Sequence, residues 1–146
     1  MTIYLVHHAQ ALAPEIDPQR PLSTEGLAHA ERLAVEARAA GIAPATIWHS
    51  GKLRARQTAE AFLRHCNPFA TFKMVRGLRP EDRAAGLLDE LTAEAADLMI
   101  VSHMPLLPEL ARMLSPAVAA FPLHGLVGLE RQEGRTYAEV LRLGQG

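Results

Sequence analysis

The sequence predicts an α/β fold, namely a three-layer α/β/α sandwich with a mainly parallel central sheet and an antiparallel C-terminal edge. Short apolar segments alternate with longer segments of helical periodicity, which is the order expected of a parallel sheet with helices on both faces. The first apolar segment, residues 3–6, has no polar face and is therefore typical of a central strand. The last two apolar segments flank a turn at Glu133 and Gly134, which indicates an antiparallel hairpin.

The first strand–helix unit combines residues 3–6 with a helix that follows a proline-containing loop, residues 13–21. Either Ser23 or Thr24 can act as the N-cap of this helix, because both side chains can accept a hydrogen bond from a backbone N–H of the first turn. The helix is expected to end at Gly41. Its core-facing positions are apolar, namely Leu27, Ala30, Leu33, Ala34 and Ala37.

The remaining elements continue the alternation. Their predicted order is strand 46–48, helix 53–65, strand 71–75, loop 76–81, helix 84–95, strand 97–101, helix 105–114 and hairpin strands 125–130 and 137–143. The segment D-L-M-I-V at residues 97–101 is typical of a buried strand, and the proline at position 105 suits the first turn of a helix.

Length and composition indicate one globular domain, residues 1–146. The 146 residues are 49% hydrophobic and carry a net charge of -1, so we expect a sizeable core and no nucleic-acid partner. The single cysteine, Cys66, cannot form an internal disulfide. No segment approaches the about 20 apolar residues of a membrane span, and the N-terminus lacks the pattern of a signal peptide. We therefore expect a cytoplasmic protein that does not contact a membrane.

Two histidine-containing segments follow predicted strands. His7 and His8 end the first strand, and Ser102 and His103 follow the strand 97–101. Ligands of such sheets bind beyond the carboxyl ends of the strands, so histidines far apart in the sequence are expected to meet in one crevice. Neutral imidazole is a competent nucleophile near pH 7.

Four segments resemble the motifs of the histidine phosphatase superfamily, and most closely those of its small phosphohistidine phosphatases of the SixA type. They are V-H-H-A-Q at residues 6–10, R-P-L-S-T-E-G at 20–26, S-G-K-L-R-A-R-Q-T-A at 50–59 and V-S-H-M-P-L at 101–106. The resemblance runs from residue 3 to about residue 115, with the motifs in the family's order and spacing.

This resemblance implies roles for four residues. His8 would be the nucleophile that takes the phosphoryl group as a covalent phosphohistidine, and His103 the second histidine of the pocket. Arg20 and Arg54 would bind the phosphate, for which the guanidinium fork is well shaped. We expect no cofactor and no metal, since no magnesium motif is present.

The first motif departs from the family pattern. The family has arginine, histidine and glycine where this chain has His7, His8 and Ala9, and Gln10 replaces an acidic residue. A histidine at position 7 is fully charged only below its pKa, about 6.5 when unperturbed, although a bound phosphate would raise that pKa. Loss of one charge-assisted contact would cost about 2.7–4 kcal/mol, by analogy with other transition-state donors. Ala9 requires a backbone that accepts a β-carbon.

Two functions therefore stay open. The first is a metal-independent phosphohistidine phosphatase that acts on a phosphotransfer or signalling protein, with His7, Arg20 and Arg54 as phosphate ligands. An imidazole leaving group is readily protonated near neutral pH, so such a substrate depends little on an acid, for which Glu81 and Asp82 are the nearest candidates. The second is a weakly active or inactive module of the same fold that binds phosphate or a phosphoprotein, because His7 replaces the arginine.

The remaining polar candidates are assigned no role. A metal site at His7 and His8 is not expected. Adjacent residues of a regular strand point to opposite faces, so both could bind one ion only at a sharp local turn, and no carboxylate or cysteine spacing completes a zinc set. His124 precedes the C-terminal hairpin, near a segment that borders the expected pocket, but is not included among the site residues. The residues interpreted as structural or solvated are His29, His49, His65 and Arg56.

Overall fold

A computed structural model describes residues 1–144 as a six-stranded sheet between helices, which confirms the predicted fold class. The last two residues of the predicted domain, Gln145 and Gly146, lie outside the described residues. The strands are β1 (Thr2–His7), β2 (Thr46–His49), β3 (Thr71–Met74), β4 (Leu98–Ser102), β5 (Leu126–Arg131) and β6 (Tyr137–Leu143). The helices are α1 (Thr24–Ala39), α2 (Leu53–Cys66), α3 (Leu88–Ala93) and α4 (Leu106–Leu114).

The sheet has the strand order β3-β2-β4-β1-β5-β6. The first four strands in this order are parallel, whereas β5 and β6 run antiparallel. All five residues of β4 are buried, as expected for a central strand. The carboxyl ends of β1 and β4 coincide, because His7 pairs with Ser102. Antiparallel β5 begins at the same edge, since Val6 pairs with Leu126.

Each face of the sheet has its own hydrophobic core, because successive side chains of a strand point to opposite faces. On one face Leu5 packs in a cluster that includes Leu91 of α3 and Leu110 of α4. On the other face Val6 packs in a cluster that includes Leu33 of α1 and Phe62 of α2. The two cores hold β1 between helical layers and fix the position of its carboxyl end.

Two local details resolve or correct the sequence predictions. Ser23 is the N-cap of α1, because its Oγ accepts a hydrogen bond of 3.0 Å from the backbone N–H of Gly26. The predicted helix 84–95 is wrong at its start, where Ala84–Leu87 form a 3-10 turn before α3. Gly86 disfavours an α-helix there, and no side chain caps this turn.

Within residues 1–144, every helix lacks the length or the apolar character that a membrane span requires.

Candidate active site

His8 is the first residue beyond β1. The N–H of His8 donates to the Ser102 carbonyl oxygen at 3.1 Å, and the N–H of Ala9 donates to Thr58 Oγ1 at 3.0 Å. The ring centroids of His7 and His8 lie 4.5 Å apart. The alternation of faces expected within a regular strand does not extend to His8, because β1 ends at His7. Ala9 is buried and its φ is not positive, so the backbone accepts its β-carbon.

The His8 ring has the protonation state of a nucleophile. Its Nδ1 lies 2.7 Å from the Ala9 carbonyl oxygen, which can only accept, so Nδ1 carries the hydrogen and donates it. In the neutral ring the lone pair is then on Nε2. Burial is the main cause that lowers the pKa of His8 to about 4, and the positive charges of Arg54 and Arg20 act in the same direction. His8 is therefore neutral, with an available Nε2, at every pH well above 4.

His103 faces His8 from the end of β4, with ring centroids 5.0 Å apart. Its Nε2 lies 2.7 Å from Ser50 Oγ, which also accepts a hydrogen bond of 3.2 Å from the N–H of Lys52. When the Ser50 hydroxyl donates to Nε2, the ring hydrogen of His103 is on Nδ1. Nδ1 is buried and has no partner among residues 1–144, so in this tautomer it is a free donor for an anion. Burial, followed by the effect of His8, lowers the pKa of His103 to about 3.

Arg20 and Arg54 supply positive charge near His8. Neither forms an ion pair within the described part of the chain, where the ionic contacts lie elsewhere on the surface. Arg20 Nε donates to the Leu12 carbonyl oxygen at 3.0 Å, and Arg54 Nε is buried without a partner in residues 1–144. Burial and the charge of Arg20 lower the pKa of Arg54. Two guanidinium groups without a carboxylate partner form a site for an anion such as phosphate.

Helix α2 holds both loops of the site in place through residues that sequence reasoning did not single out. Thr58 Oγ1 accepts from the Ala9 N–H and donates to the Arg54 carbonyl oxygen at 2.9 Å, so it links the His8 loop to the turn of α2 that carries Arg54. Gln57 Oε1 accepts a hydrogen bond of 2.7 Å from the Leu22 N–H, next to the loop of Arg20. Both residues lie in the segment L-R-A-R-Q-T, three and four positions after Arg54. This spacing of about one helical turn was the sequence signal for their role.

The packing of α1 against the His8 loop depends on a glycine. A β-carbon at Gly26 would lie 2.0 Å from the backbone oxygen of Gln10, so no other residue allows this approach. The position of Gly26 in the segment R-P-L-S-T-E-G is thereby explained by contact between backbones.

His124 is a site residue that sequence reasoning missed. Its ring stacks on His7, with centroids 4.7 Å apart and planes at 8°. Its backbone N–H donates to His7 Nδ1 at 2.8 Å, and its own Nδ1 donates to the His8 carbonyl oxygen at 2.7 Å. Its position follows from the sheet topology. His124 lies two residues before antiparallel β5, and that strand begins at the edge of the sheet where β1 ends.

The cluster of His7, His8 and His124 has the spacing of a metal site, with ligand atoms within 4.8 Å of one another. Its hydrogen bonds do not suit a metal ion. His7 Nδ1 already accepts the His124 N–H, so the hydrogen of neutral His7 is on Nε2 and the ring has no free lone pair. Only His8 and His124 keep a free lone pair, and two ligands fall short of the three or four that a zinc site requires.

The two candidate acids differ in position. Asp82 caps a turn, because its Oδ2 accepts a hydrogen bond of 2.8 Å from the Arg79 N–H. Glu81 is exposed, and its negative charge opposes in part the lowering of the Arg54 pKa by burial and Arg20. Glu81 therefore interacts electrostatically with a residue of the pocket, whereas Asp82 has a local structural contact.

The other histidines lie outside the cluster around His8, apart from one contact of His29. His49 is buried, and its Nδ1 accepts the N–H of Gly51 at 3.1 Å. His65 contacts Glu31 at the surface between α1 and α2. Arg56 is exposed and pairs with Glu60 at 3.7 Å. His29 makes an edge contact with His124 and, like it, lines a cavity of about 450 Å³.

Comparisons with known proteins show the family and the fold of the chain. The model of the histidine phosphatase superfamily (branch 1) matches residues 3–80. The structure of the protein histidine phosphatase SixA in complex with tungstate is 22% identical, with a TM-score of 0.88 over 99% of this chain and 97% of that chain. A protein from Agrobacterium tumefaciens assigned as phosphohistidine phosphatase SixA is 25% identical, with a TM-score of 0.83 over 99% and 98% of the two chains. A third, from Nakamurella multipartitia and assigned in the same way, is 21% identical, with a TM-score of 0.79 over 98% and 95%. No curated protein sequence matches the chain.

Proposed function

The chain belongs to the histidine phosphatase superfamily, and we propose that it is a metal-independent phosphohistidine phosphatase that acts on a phosphorylated protein. The observation that carries this proposal is the state of His8, a neutral ring with its hydrogen held on Nδ1 by Ala9 and its lone pair on Nε2. Arg20, Arg54 and the free Nδ1 of His103 surround that nucleophile with donors for a phosphoryl group.

The first step transfers the phosphoryl group from the substrate to His8. His8 Nε2 attacks phosphorus, the phosphorus–nitrogen bond of the substrate phosphohistidine breaks, and the leaving imidazole nitrogen takes up a proton. Glu81, whose charge acts on Arg54, is the candidate donor of that proton, and solvent is sufficient because an imidazole nitrogen is basic near neutral pH. This leaving group favours a phosphohistidine over an alkyl or sugar phosphate as substrate.

The second step releases inorganic phosphate. Because Nδ1 of His8 keeps its hydrogen, the phosphorylated ring carries a positive charge and is a good leaving group. Water attacks phosphorus, the bond to Nε2 breaks, and the water oxygen and both of its hydrogens leave with the phosphate monoanion. His8 returns to its neutral form with the electron pair on Nε2. His7, Arg20 and Arg54 bind the phosphoryl oxygens in both steps.

Similarity to known proteins supports the substrate class. Two of the structures above carry the name phosphohistidine phosphatase, and one of these shares 25% of its residues with this chain. A protein partner that presents a phosphohistidine is consistent with a pocket at the open edge of the sheet. The family and the fold do not depend on this substrate assignment.

The test is to trap the covalent intermediate. Wild-type protein is mixed with a protein whose phosphohistidine carries radioactive phosphorus. The reaction is quenched in alkali, because N-linked phosphate is stable at high pH. We expect label on the peptide that contains His8 and release of phosphate, with neither in His8→Ala. His65→Ala is the matched control, because it removes a surface histidine that is remote from the pocket. Wild-type protein that binds tungstate but neither becomes labelled nor releases phosphate would instead establish the binding-module function.

A further inference from the structure

His124 has a strained backbone. Its φ is 53°, in the left-handed region, and Arg20 is the only other non-glycine residue of the described chain with a positive φ. Such a conformation is unfavourable for a residue other than glycine and persists only where surrounding contacts impose it. His124 contacts His8 and the charge of Arg20 acts on His8, so the two positive φ values occur at residues that act on the same ring.

The contacts of His124 account for the strain. The left-handed turn lets one residue make two hydrogen bonds to consecutive residues of the His8 loop. Its N–H reaches His7 Nδ1 at 2.8 Å while its Nδ1 reaches the His8 carbonyl oxygen at 2.7 Å. The ring also lies parallel to that of His7, at 4.7 Å between centroids. The backbone and the side chain of His124 therefore fix the same neighbour.

These contacts determine where His7 carries its hydrogen. A backbone N–H can only donate, so His7 Nδ1 must accept and have no hydrogen of its own. Neutral His7 then carries its hydrogen on Nε2, and a second proton could enter only at Nδ1, against the His124 N–H. The titratable and charged groups that act on His7 are His8, His124 and Arg54, and none of them is a carboxylate. Burial is the main cause that lowers the pKa of His7 to about 3.

We propose that His124 is a positioning residue that holds His7 as a neutral Nε2–H donor for the phosphoryl group bound at His8. This inference rests on the proposed function. It differs from the view that His7 replaces an arginine by gaining charge at acidic pH. A neutral donor provides a weaker contact than a guanidinium, but it provides that contact at neutral pH without a bound proton.

The first test separates a neutral donor from a charged one. His7→Gln keeps an amide N–H near the position of Nε2 and cannot be protonated, whereas His7→Leu removes the donor. Tungstate binding is measured by calorimetry at pH 5.5 and pH 7.5. We expect His7→Gln to bind within about threefold of wild type at both pH values, and His7→Leu to lose about tenfold, the effect of one hydrogen bond. Wild-type binding that strengthens at pH 5.5, with His7→Gln as weak as His7→Leu, would overturn the inference.

The second test addresses His124 and needs no turnover. Nitrogen-15 NMR of the imidazole rings is expected to show His7 with hydrogen on Nε2 and His8 with hydrogen on Nδ1. His124→Asn should preserve the His7 state, because asparagine tolerates the left-handed conformation and has a side-chain donor for the His8 carbonyl. His124→Ala keeps the backbone N–H but removes the ring stack and the hydrogen bond to the His8 carbonyl oxygen, which are the contacts that impose the left-handed turn. The N–H is then no longer held against His7 Nδ1, so we expect mixed hydrogen positions on His7, and the control His65→Ala should match wild type. A His7 hydrogen on Nδ1 in wild type, or an unchanged His7 in His124→Ala, would refute the positioning role.

Failure of this inference is distinguishable from failure of the proposed function. If tungstate binds and the His7 state is as expected but no label reaches His8, only the covalent mechanism fails. If wild-type protein binds no tungstate, both the proposed function and this inference are overturned.

Discussion

The pocket around His8 has two sides that are built differently. The arginine side carries the positive charge and contains buried nitrogen atoms without hydrogen-bond partners, namely Arg54 Nε and His103 Nδ1. It is formed by Arg20, Arg54, Ser50 and His103. The histidine side, formed by His7 and His124, carries no fixed charge, and its rings are stacked and hydrogen-bonded to the His8 loop. Binding strength and orientation can therefore be assigned to different parts of one site. Under the proposed function, the arginine side attracts a phosphoryl group and the histidine side orients the loop that carries the nucleophile.

The largest expected effect comes from removing charge on the arginine side. Arg54→Leu should lower kcat/KM on a phosphohistidine protein by about 10²–10³-fold, the cost of one transition-state donor, and weaken tungstate binding. Arg54→Lys should recover part of the loss, because lysine keeps the charge without the fork. Steady-state kinetics and calorimetry are the measurements.

Arg56→Ala is the matched control for this prediction. Arg56 lies on the same helix, is exposed and pairs with Glu60, so its loss should leave both measurements unchanged. Equal effects of the Arg54 and Arg56 variants would show that the charge acts at long range and that the two-sided description is wrong.

A double substitution can convert the histidine side into a second charged side. In His7→Arg the new guanidinium must share its space with the stacked His124 ring, so we expect little gain from this change alone. His7→Arg combined with His124→Gly removes the ring and also relieves the positive φ. We expect this double variant to bind tungstate about tenfold more tightly than wild type, the effect of a charge-assisted hydrogen bond.

The two single variants complete a thermodynamic cycle for this change. Additive effects, with no coupling between positions 7 and 124, would contradict the stacked arrangement. Calorimetry of all four proteins in one buffer is sufficient.

The pH dependence of kcat/KM tests the protonation state of the proposed nucleophile, His8. This parameter reports the pKa values of groups in the free enzyme, and the pKa of His8 there is about 4. Because the neutral ring is the active form, kcat/KM should stay level from pH 8 to about pH 5 and fall about tenfold per unit below pH 4. A fall centred near pH 6.5, the usual value for histidine, would show that His8 is not desolvated in the free protein.

The smallest expected effect is on stability in acid. His7, His8 and His103 have pKa values of about 3, about 4 and about 3, below the usual 6.5 of the unfolded chain. Between those values and 6.5 the unfolded chain binds more protons, so the free energy of unfolding falls as the pH drops from 6.5 toward 3. His103→Gln removes one of these groups and should reduce the slope by up to about 1.4 kcal/mol per pH unit. Thermal unfolding at several pH values measures this, and an unchanged slope would mean that His103 is not buried as a neutral ring.

Much of the arginine side could be predicted from the sequence, because its residues stand beside local signals. His103 follows a continuous apolar strand, and Arg54 lies in the first turn of a helix with clear periodicity. The histidine side could not be predicted in the same way. His124 meets His7 across a sequence separation of 117 residues, and its place depends on the left-handed turn and on the start of an antiparallel strand.

The orientation of His7 and His8 shows a second limit of sequence reasoning. The alternation of side chains along a strand is a sound rule, but it applies only while the strand continues. Here the strand ends at His7, and the Ala9 N–H donates to Thr58 of α2 and not to a neighbouring strand. Where a strand ends depends on partners from distant segments, and no pattern in V-H-H-A-Q reveals those partners.

The positive φ values of Arg20 and His124 also have a consequence for engineering. A search for thermostabilising substitutions would select both positions, since glycine or asparagine relieves a left-handed backbone at little steric cost. Glycine at either position should make the protein harder to unfold and poorer at its task, whereas asparagine at position 124 keeps a donor for the His8 carbonyl oxygen. At these two residues the native backbone lowers thermal stability and holds the side chains in a fixed geometry. A stabilised variant should therefore keep both residues.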